Sequence, residues 1–279
     1  MKEILLDTIL DAIKLLPFLF ITFLFMEYLE HKMTNKSKKI IEKSGKFGPI
    51  IGGILGAFPQ CGFSVIATNL FSARIITLGT LVSIYLSTSD EMIPILISEN
   101  VPVTFILKVL LVKVIIGMLV GLIIDLFYTK SKKINISQLC DISACDCHNS
   151  LIKSTLKHTF NIFIFIFIVS LLLNIGMHAF GEDALSKIFL RDNMFSSFVT
   201  SLIGLIPNCG SSVIITKLYL NNMISLGGMI GALLTGAGVS YIVLFKANKN
   251  LKENIKIVLI LYFVGSLFGL IFNLLQITL

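Results

Sequence analysis

Two short stretches of the chain interrupt apolar segments with the same unusual set of residues. The first reads GAFPQCGFSV over residues 56–65, and the second reads GLIPNCGSSV over residues 204–213. Each combines a thiol, an amide and a hydroxyl. Thiolates favour zinc, copper(I) and other thiophilic ions, whereas oxygen donors favour harder ions. The paired stretches therefore predict one binding site with mixed soft and hard donors.

The candidate ligands of this site recur in both stretches, with Cys61 and Cys209 as the predicted metal ligands. The predicted substrate-binding residues are Gln60, Cys61, Ser64, Thr68, Asn208, Cys209, Ser212 and Thr216. Two simpler interpretations stay open. A membrane cysteine often serves only as a small packing residue, and glycines beside it often serve only close helix packing.

Two carboxylates, Asp90 and Glu91, stand in an apolar segment after the first stretch. A carboxylate at the centre of a bilayer costs about 2.5–3.5 kcal/mol even on mild insertion scales, so it usually marks an ion pathway or a proton relay. We therefore predict that these two acids couple transport to protons. At headgroup depth they would have no such role. Lys113, well inside another apolar segment, either extends to the membrane surface or pairs with one of the acids.

A polar loop in the middle of the chain carries a second group of soft donors. Cys140, Cys145, Cys147 and His148 supply four ligands, enough for a tetrahedral ion. Their spacing is not that of a common structural zinc site, so we predict reversible capture or sensing of a metal. The alternative is an ordinary reduced, solvated loop.

The elements that must position these residues lie in a membrane. The 279 residues are 55% hydrophobic and only 14% charged, with a mean hydropathy of +0.92. A soluble domain carries about 25% charged residues, and several apolar runs reach the roughly 20 residues that cross a bilayer. The net charge of +7 comes from lysines in loops, which is a topology signal and does not indicate nucleic acid.

The chain contains an internal duplication. A shift of 148 residues aligns P-Q-C-G-x-S-V-I-x-T with P-N-C-G-x-S-V-I-x-T. Each half then contains a first span, a broken span, an interrupted segment and a final span; these are 6–29, 47–71, 75–98 and 103–128 in the first half, and 159–180, 195–218, 223–245 and 255–276 in the second. The predicted domains are a first transmembrane repeat (1–128), a cytosolic linker with the cysteines and histidine (129–158) and a second transmembrane repeat (159–279).

Prolines and glycines explain why the broken spans are broken. Pro59 and Pro207 each remove a backbone donor, and Gly62 and Gly210 allow the chain to start a new half-helix. Irregular backbone at membrane depth is tolerated only inside protein or beside a water-filled cavity. The two breaks are therefore expected to meet in the middle of the protein.

Charge selects a topology for the two repeats. If the interrupted segments fold back as re-entrant hairpins, the basic stretches 31–46, 130–157 and 246–256 share one side. The other side keeps little beyond Lys2, Arg74, Lys187 and Arg191. This arrangement obeys the lysine bias of cytoplasmic loops. It predicts an all-α membrane protein of two inverted-topology repeats, whose broken helices and re-entrant hairpins meet at the membrane midplane.

The motifs PQCG and PNCG, the acidic TSDE and the linker rich in cysteine resemble those of a family of ten-transmembrane heavy-metal exporters. Members of this family are also labelled manganese transporters or arsenic efflux-like permeases. The resemblance covers essentially the whole chain. It implies a multi-pass protein of the prokaryotic plasma membrane that exports a metal or metalloid. The second repeat lacks the acidic pair and has Gly236, Ala237 and Gly238 at that place.

The sequence therefore predicts a secondary transporter that exports a divalent or thiophilic metal ion by alternating access, with coupling to protons. The metal is cargo and no resident cofactor is predicted; the expected partners are the ion and the lipid bilayer, and a homodimer stays open. A permease for a small organic or metalloid-organic solute is the alternative. No motif indicates an enzyme, and an intramembrane lipid-phosphate enzyme would need arginines that the chain offers only at Arg74 and Arg191.

Overall fold

The structure is a computed structural model that describes residues 47–57, 61–89, 92–128, 196–208 and 210–276, with a few isolated helical positions elsewhere. These residues form helices joined by short turns, and no strand occurs among them. In chain order the helices are α1 (Gly48–Gly56), α2 (Cys61–Ser72), α3 (Leu78–Ser87), α4 (Met92–Ser98), α5 (Val103–Tyr128), α6 (Ser196–Gly204), α7 (Gly210–Leu220), α8 (Leu226–Thr235), α9 (Ser240–Ala247) and α10 (Leu251–Leu274). The all-helical prediction is confirmed.

Three of the described stretches are long and apolar enough to cross a membrane. They are Val103–Tyr128, Leu226–Ala247 and Leu251–Leu274. The first and third, α5 and α10, expose much of their apolar surface, whereas the second, which contains α8 and α9, is largely buried. The chain is therefore built as a multi-pass membrane protein, with α5 and α10 on the outside and the interrupted segment inside.

The helices of the two halves pack in matching pairs. In the first half α3 packs against both α1 and α5, and in the second half α8 packs against both α6 and α10. Between the halves, α2 packs against α9, and α7 packs against α4. The turns after α2 and α7 also match, because Arg74 and Asn222 both adopt left-handed backbone angles with φ of 62° and 57°. The internal duplication thus extends from sequence to packing.

Small residues bring α3 and α5 into close contact. A Cβ on Gly79 would overlap the carbonyl oxygen of Gly121, and a Cβ on Gly227 in α8 would overlap that of Gly269 in α10. Asp125 accepts a hydrogen bond from the Gly79 N–H at 2.9 Å. These contacts fix the start of α3 beside the C-terminal end of α5, and the start of α8 beside the C-terminal end of α10.

The first interrupted segment runs along the whole of α5. It begins beside Asp125, and by Thr88 it has reached Lys113, whose ammonium donates to the Thr88 carbonyl. Lys113 lies ten residues, or about 15 Å, from the start of α5. If α4 turned back, its end would lie about 25 Å from that start, more than the roughly 18 Å that the connection through residues 99–102 can span. α4 therefore continues in the direction of α3.

The second interrupted segment runs the length of α10 in the same way. It begins with Gly227 beside Gly269 and ends where the Asn254 side chain donates to the Asn248 carbonyl at 2.9 Å. The prediction that segments 75–98 and 223–245 fold back as hairpins is therefore corrected. The lysine bias favoured hairpins there because it depends only on whether the number of crossings between two basic stretches is odd or even. It does not identify which segment folds back.

The chain reverses instead between α1 and α2. α1 runs beside α3 in the same direction, since Gly48 lies against Thr80 and Gly56 lies against Ser87. α2 then leads back to the start of α3 through the short turn 73–77. The same relations hold for α6, α7 and α8 in the second half, where Gly204 lies against Thr235. The predicted crossings at 47–71 and 195–218 are corrected to two antiparallel half-helices each.

The position of Arg74 changes with this correction. Its guanidinium makes two hydrogen bonds to the Glu253 carboxylate, at 2.8 and 2.6 Å. Glu253 belongs to the basic stretch 246–256. Arg74 therefore lies at the lysine-rich end of the molecule and not at the opposite end, where the sequence analysis put it.

Candidate transport site

A cavity lies between the two halves, where α3 ends and α7 begins. Its wall consists of Thr88, Ser89, Met92, Gly204, Asn208, Ser211, Ser212, Ile215, Ala232, Leu233, Gly236 and Gly238. Both repeats contribute hydroxyl groups, and the second repeat contributes an amide. The cavity therefore combines polar groups from the ends of half-helices with apolar side chains from the surrounding core.

The second-half wall is built on the break between α6 and α7. The Asn208 side chain accepts a hydrogen bond from the Gly210 N–H at 3.2 Å, and its carbonyl accepts one from the Ser211 hydroxyl at 2.8 Å. Pro207 has no N–H to continue α6. Asn208 thereby caps the start of α7 at the cavity wall, and the positive end of the α7 dipole lies there.

The first-half wall is built on the end of α3. The Thr88 hydroxyl bonds back to the Ile84 carbonyl at 2.8 Å, and the Ser89 hydroxyl bonds to the Ser87 carbonyl at 3.1 Å. The ammonium of Lys113, which is fully buried, donates to the Thr88 carbonyl. A cation at a helix C-terminus is favourable because the carbonyls there lack helical donors. Lys113 therefore caps α3 beside the cavity, which the sequence analysis did not predict.

Two of the predicted site residues lie in a different place, at the contact of α2 with α9. The Ser240 hydroxyl donates to the Ser64 hydroxyl at 2.7 Å, and the Thr68 hydroxyl lies 2.5 Å from that of Tyr85. Thr68 also donates to the Ser64 carbonyl at 2.6 Å. These four residues are buried and form hydrogen bonds with one another. The hydroxyls of Ser64 and Thr68 are therefore used in hydrogen bonds within the protein.

The cavity and this hydroxyl cluster occupy equivalent positions in the two halves. Residues 148 apart in the sequence are Ser64 and Ser212, Tyr85 and Leu233, and Met92 and Ser240. In the hydroxyl cluster the large ring of Tyr85 fills the space and packs edge-on against Tyr241, with ring centroids 5.8 Å apart. At the cavity the equivalent Leu233 is smaller and cannot make that bridge. The duplication has thus left one of two related positions open.

The other predicted residues divide into three groups. The Thr216 hydroxyl donates to the Ser212 carbonyl at 2.7 Å, is buried, and is not among the residues that line the cavity. Cys61 begins α2 and Gly62 follows it there, but the Cys61 side chain is not among the described ones. The remaining residues lie outside the described residues altogether; they are Pro59, Gln60, Asp90, Glu91, Cys140, Cys145, Cys147, His148 and Cys209.

Among the described residues, no group of three or more histidine, cysteine or acidic side chains is placed to hold a metal ion. The polar groups that line the cavity are hydroxyls and one amide. Of the residues that sequence reasoning missed, Tyr85 had a detectable signal, since the aligned position in the second half is Leu233. An alignment of the two halves that considers only identical residues does not reveal this difference.

The chain was compared with known families, curated proteins and solved structures. Residues 1–198 and 177–278 match the model of a family described as "Putative, 10TM heavy-metal exporter". The two ranges overlap and together cover nearly the whole chain. No curated protein and no solved structure matches it. The family resemblance seen in the motifs is confirmed.

Proposed function

We propose that this chain, which belongs to the family of ten-transmembrane heavy-metal exporters, is a secondary transporter that moves a divalent or thiophilic metal ion by alternating access. The direction proposed is export from a prokaryotic cell through its plasma membrane. The observation that carries the proposal is the cavity between the two repeats, at the depth where half-helices end and begin. Broken helices that meet beside a midplane site are typical of secondary transporters.

Two inverted repeats are the architecture we propose. α1 and α2 form a re-entrant pair, whereas α3 with α4, and α5 alone, cross fully; with the first predicted span this gives three crossings per half. An odd number inverts the second repeat relative to the first. The ion pair of Arg74 with Glu253 supports this, because it joins the turn after α2 to the first turn of α10. In parallel repeats these two turns would lie at opposite ends.

The lysine distribution supports one orientation of these repeats. In this topology the basic stretches 31–46, 130–157 and 246–256 share one end with Arg74, and the other end carries few cations. The positive-inside rule assigns the lysine-rich end to the cytoplasm. The linker 129–158 is then cytoplasmic. There Cys140, Cys145, Cys147 and His148 are proposed to capture the metal.

For the transport site we propose Asn208 and Ser212 as cargo contacts, since both line the cavity. Cys61, Cys209 and Gln60 stay predicted contacts from the paired motifs. Asp90 and Glu91 stand between the cavity-lining residues Ser89 and Met92 in the sequence, and we propose them for proton coupling.

The experiment that tests the function measures metal flux in proteoliposomes, with Zn²⁺, Cd²⁺, Mn²⁺ and arsenite offered separately. We expect uptake of at least one metal by the wild type. We expect a loss of about tenfold in Asn208→Ala with Ser212→Ala, since two polar contacts each contribute about 0.5–1.5 kcal/mol. Loss of flux in Cys61→Ala with Cys209→Ala would extend the site to the thiols.

Ser266→Ala is the matched control. Its hydroxyl is buried in α10 without a hydrogen-bond partner among the described residues, and it does not line the cavity. Its flux should equal that of the wild type. Unchanged flux in the Asn208 and Ser212 variant would remove the cavity from the transport path, and absence of flux for every metal in the wild type would overturn metal transport.

A small organic or metalloid-organic solute is the second candidate cargo. The described wall of the cavity favours it in one respect, because hydroxyls, an amide and apolar side chains line it and no charged residue is among them. A growth-protection screen with toxic organic and metalloid-organic compounds, beside the flux panel, separates the two. The lipid-phosphate enzyme has no such support, since the Arg74 guanidinium is already bound to Glu253.

A further inference from the structure

At each end of the molecule a contact joins the two repeats, and the two contacts differ in chemistry. At the lysine-rich end, Arg74 in the turn after α2 binds Glu253 in the first turn of α10. At the other end, Tyr219 near the end of α7 stacks on Phe105 in the first turn of α5, with ring centroids 5.8 Å apart and planes 5° from parallel. Glu253 and Phe105 are 148 residues apart in the sequence.

The contact at the lysine-rich end is well formed. Both guanidinium nitrogens bond to the two carboxylate oxygens, and the Arg74 and Glu253 side chains are only 15% and 16% exposed. The Asn248 amide donates to the same carboxylate at 2.9 Å. Paired, two-point hydrogen bonds between arginine and carboxylate are directional as well as strong. This contact therefore holds the two repeats in one relative position.

Each contact joins a helix pair of one repeat to a crossing helix of the other, and the cavity lies between the two contacts along the molecule. A movement that opens one end of the cavity must separate the contact at that end. Resting on the proposed transport function, we propose that the Arg74–Glu253 pair is the latch of the lysine-rich end and that the Phe105–Tyr219 stack is the latch of the opposite end. Alternating access then releases one latch at a time.

The chemistry of each latch decides what releases it. Opening this end would transfer both charges to water, where added salt stabilises the separated ions, since about 1 M salt screens exposed charges beyond roughly 3 Å. A stack of two rings has no such dependence, because it is held by apolar contact and ring geometry. The lysine-rich end should therefore open as ionic strength rises, and the opposite end should not.

The test measures access to the cavity and needs no cargo. The five native cysteines are replaced and Ser89→Cys, in the cavity wall, is labelled with a membrane-impermeant maleimide in vesicles of either orientation. We expect Arg74→Ala and Glu253→Gln to raise the labelling rate from the lysine-rich side about fivefold, the effect of losing a part-exposed ion pair. Phe105→Ala should raise labelling from the opposite side.

Two further measurements separate a latch from a loss of folding. The charge swap of Arg74→Glu with Glu253→Arg should restore the original rate, and high salt should speed labelling of the protein with the native pair from the lysine-rich side only. Lys249→Ala, an exposed cation of the same turn, is the matched control and should change nothing.

Equal rates in all variants, or faster labelling from the same side for both latches, would overturn the proposal. These outcomes are independent of the transport function. If the wild type moves no metal but the latch variants still shift the labelling, the function fails and the latch stands. If the wild type moves metal normally but the latch variants do not shift the labelling, the latch fails and the transport function stands.

Discussion

At Lys113 a charged side chain is completely buried near the middle of the apolar helix α5. A charge in such a place is expensive and usually belongs to a functional site. Here its ammonium binds the Thr88 carbonyl, which lies in the cavity wall. The equivalent residue in the second half is Leu261, also fully buried, so a leucine fits this environment.

We therefore expect Lys113→Leu to fold but to transport poorly. The change removes the donor that holds the Thr88 carbonyl, so the end of α3 that forms the cavity wall loses its cap. A misplaced wall that costs about 1.4 kcal/mol of cargo binding corresponds to tenfold lower flux. Proteoliposome flux and thermal unfolding in detergent measure the two effects. Lys108→Leu, on the exposed surface of α5, is the control. Full activity of Lys113→Leu would show that the cap has no part in transport.

Tyr85 shows at the same scale how a duplicated protein becomes asymmetric. Its hydroxyl lies 2.5 Å from that of Thr68, and its ring fills the position equivalent to the one that stays open beside Leu233. One aromatic residue in place of an aliphatic one is enough to fill one of two related positions. The protein thus retains one cavity between two similar halves.

At the scale of elements, the fold depends on helices that touch backbone to backbone. α3 on α5, and α8 on α10, approach through glycines because lipid offers no hydrophobic drive for helix association and close packing must supply the stability. The half-helices α2, α4, α7 and α9 then have room to meet between the two rigid triplets of α1, α3, α5 and of α6, α8, α10.

A methyl group at either glycine contact should therefore destabilise the protein. We expect Gly79→Ala and Gly227→Ala each to lower the free energy of unfolding by about 1–3 kcal/mol, the cost of overpacking. Thermal unfolding in detergent measures it. Gly236→Ala is the matched control, since an added Cβ there meets its nearest neighbour at 3.5 Å and its φ of −76° suits any residue. Equal stability of all three variants would mean that the helices readily move apart.

At the scale of the whole molecule, the proposed inversion of the repeats would place equivalent turns on opposite sides of the membrane. The turn with Glu99 follows α4 and the turn with Lys249 follows α9, and both residues are exposed. In a cysteine-free background we expect Lys249→Cys to react with an impermeant maleimide from the cytoplasmic side and Glu99→Cys to react from the outside. Labelling of both from one side would require parallel repeats, and the proposed architecture would then be wrong.

The sequence alone determined that this chain is an all-helical membrane protein made of two related halves. Composition requires the bilayer, and the 148-residue repeat fixes the halves, because both properties are local or compare the chain only with itself. In the second half, Pro207 and Gly210 lie where α6 has ended and α7 begins. The cavity residues Asn208 and Ser212 were in the predicted set for the same reason.

Only the tertiary structure decided which way the chain runs after each break. A proline ends a helix but does not choose the direction of the next one, which depends on contacts with residues far along the chain, such as Gly56 with Ser87. For this reason the reversal lies between α1 and α2 and not after α3, and Arg74 lies beside Glu253. The sequence also could not predict that Ser64 and Thr68 lie in the hydroxyl cluster and not at the cavity. This difference depends on Tyr85, whose large ring fills a space that residues of both repeats enclose.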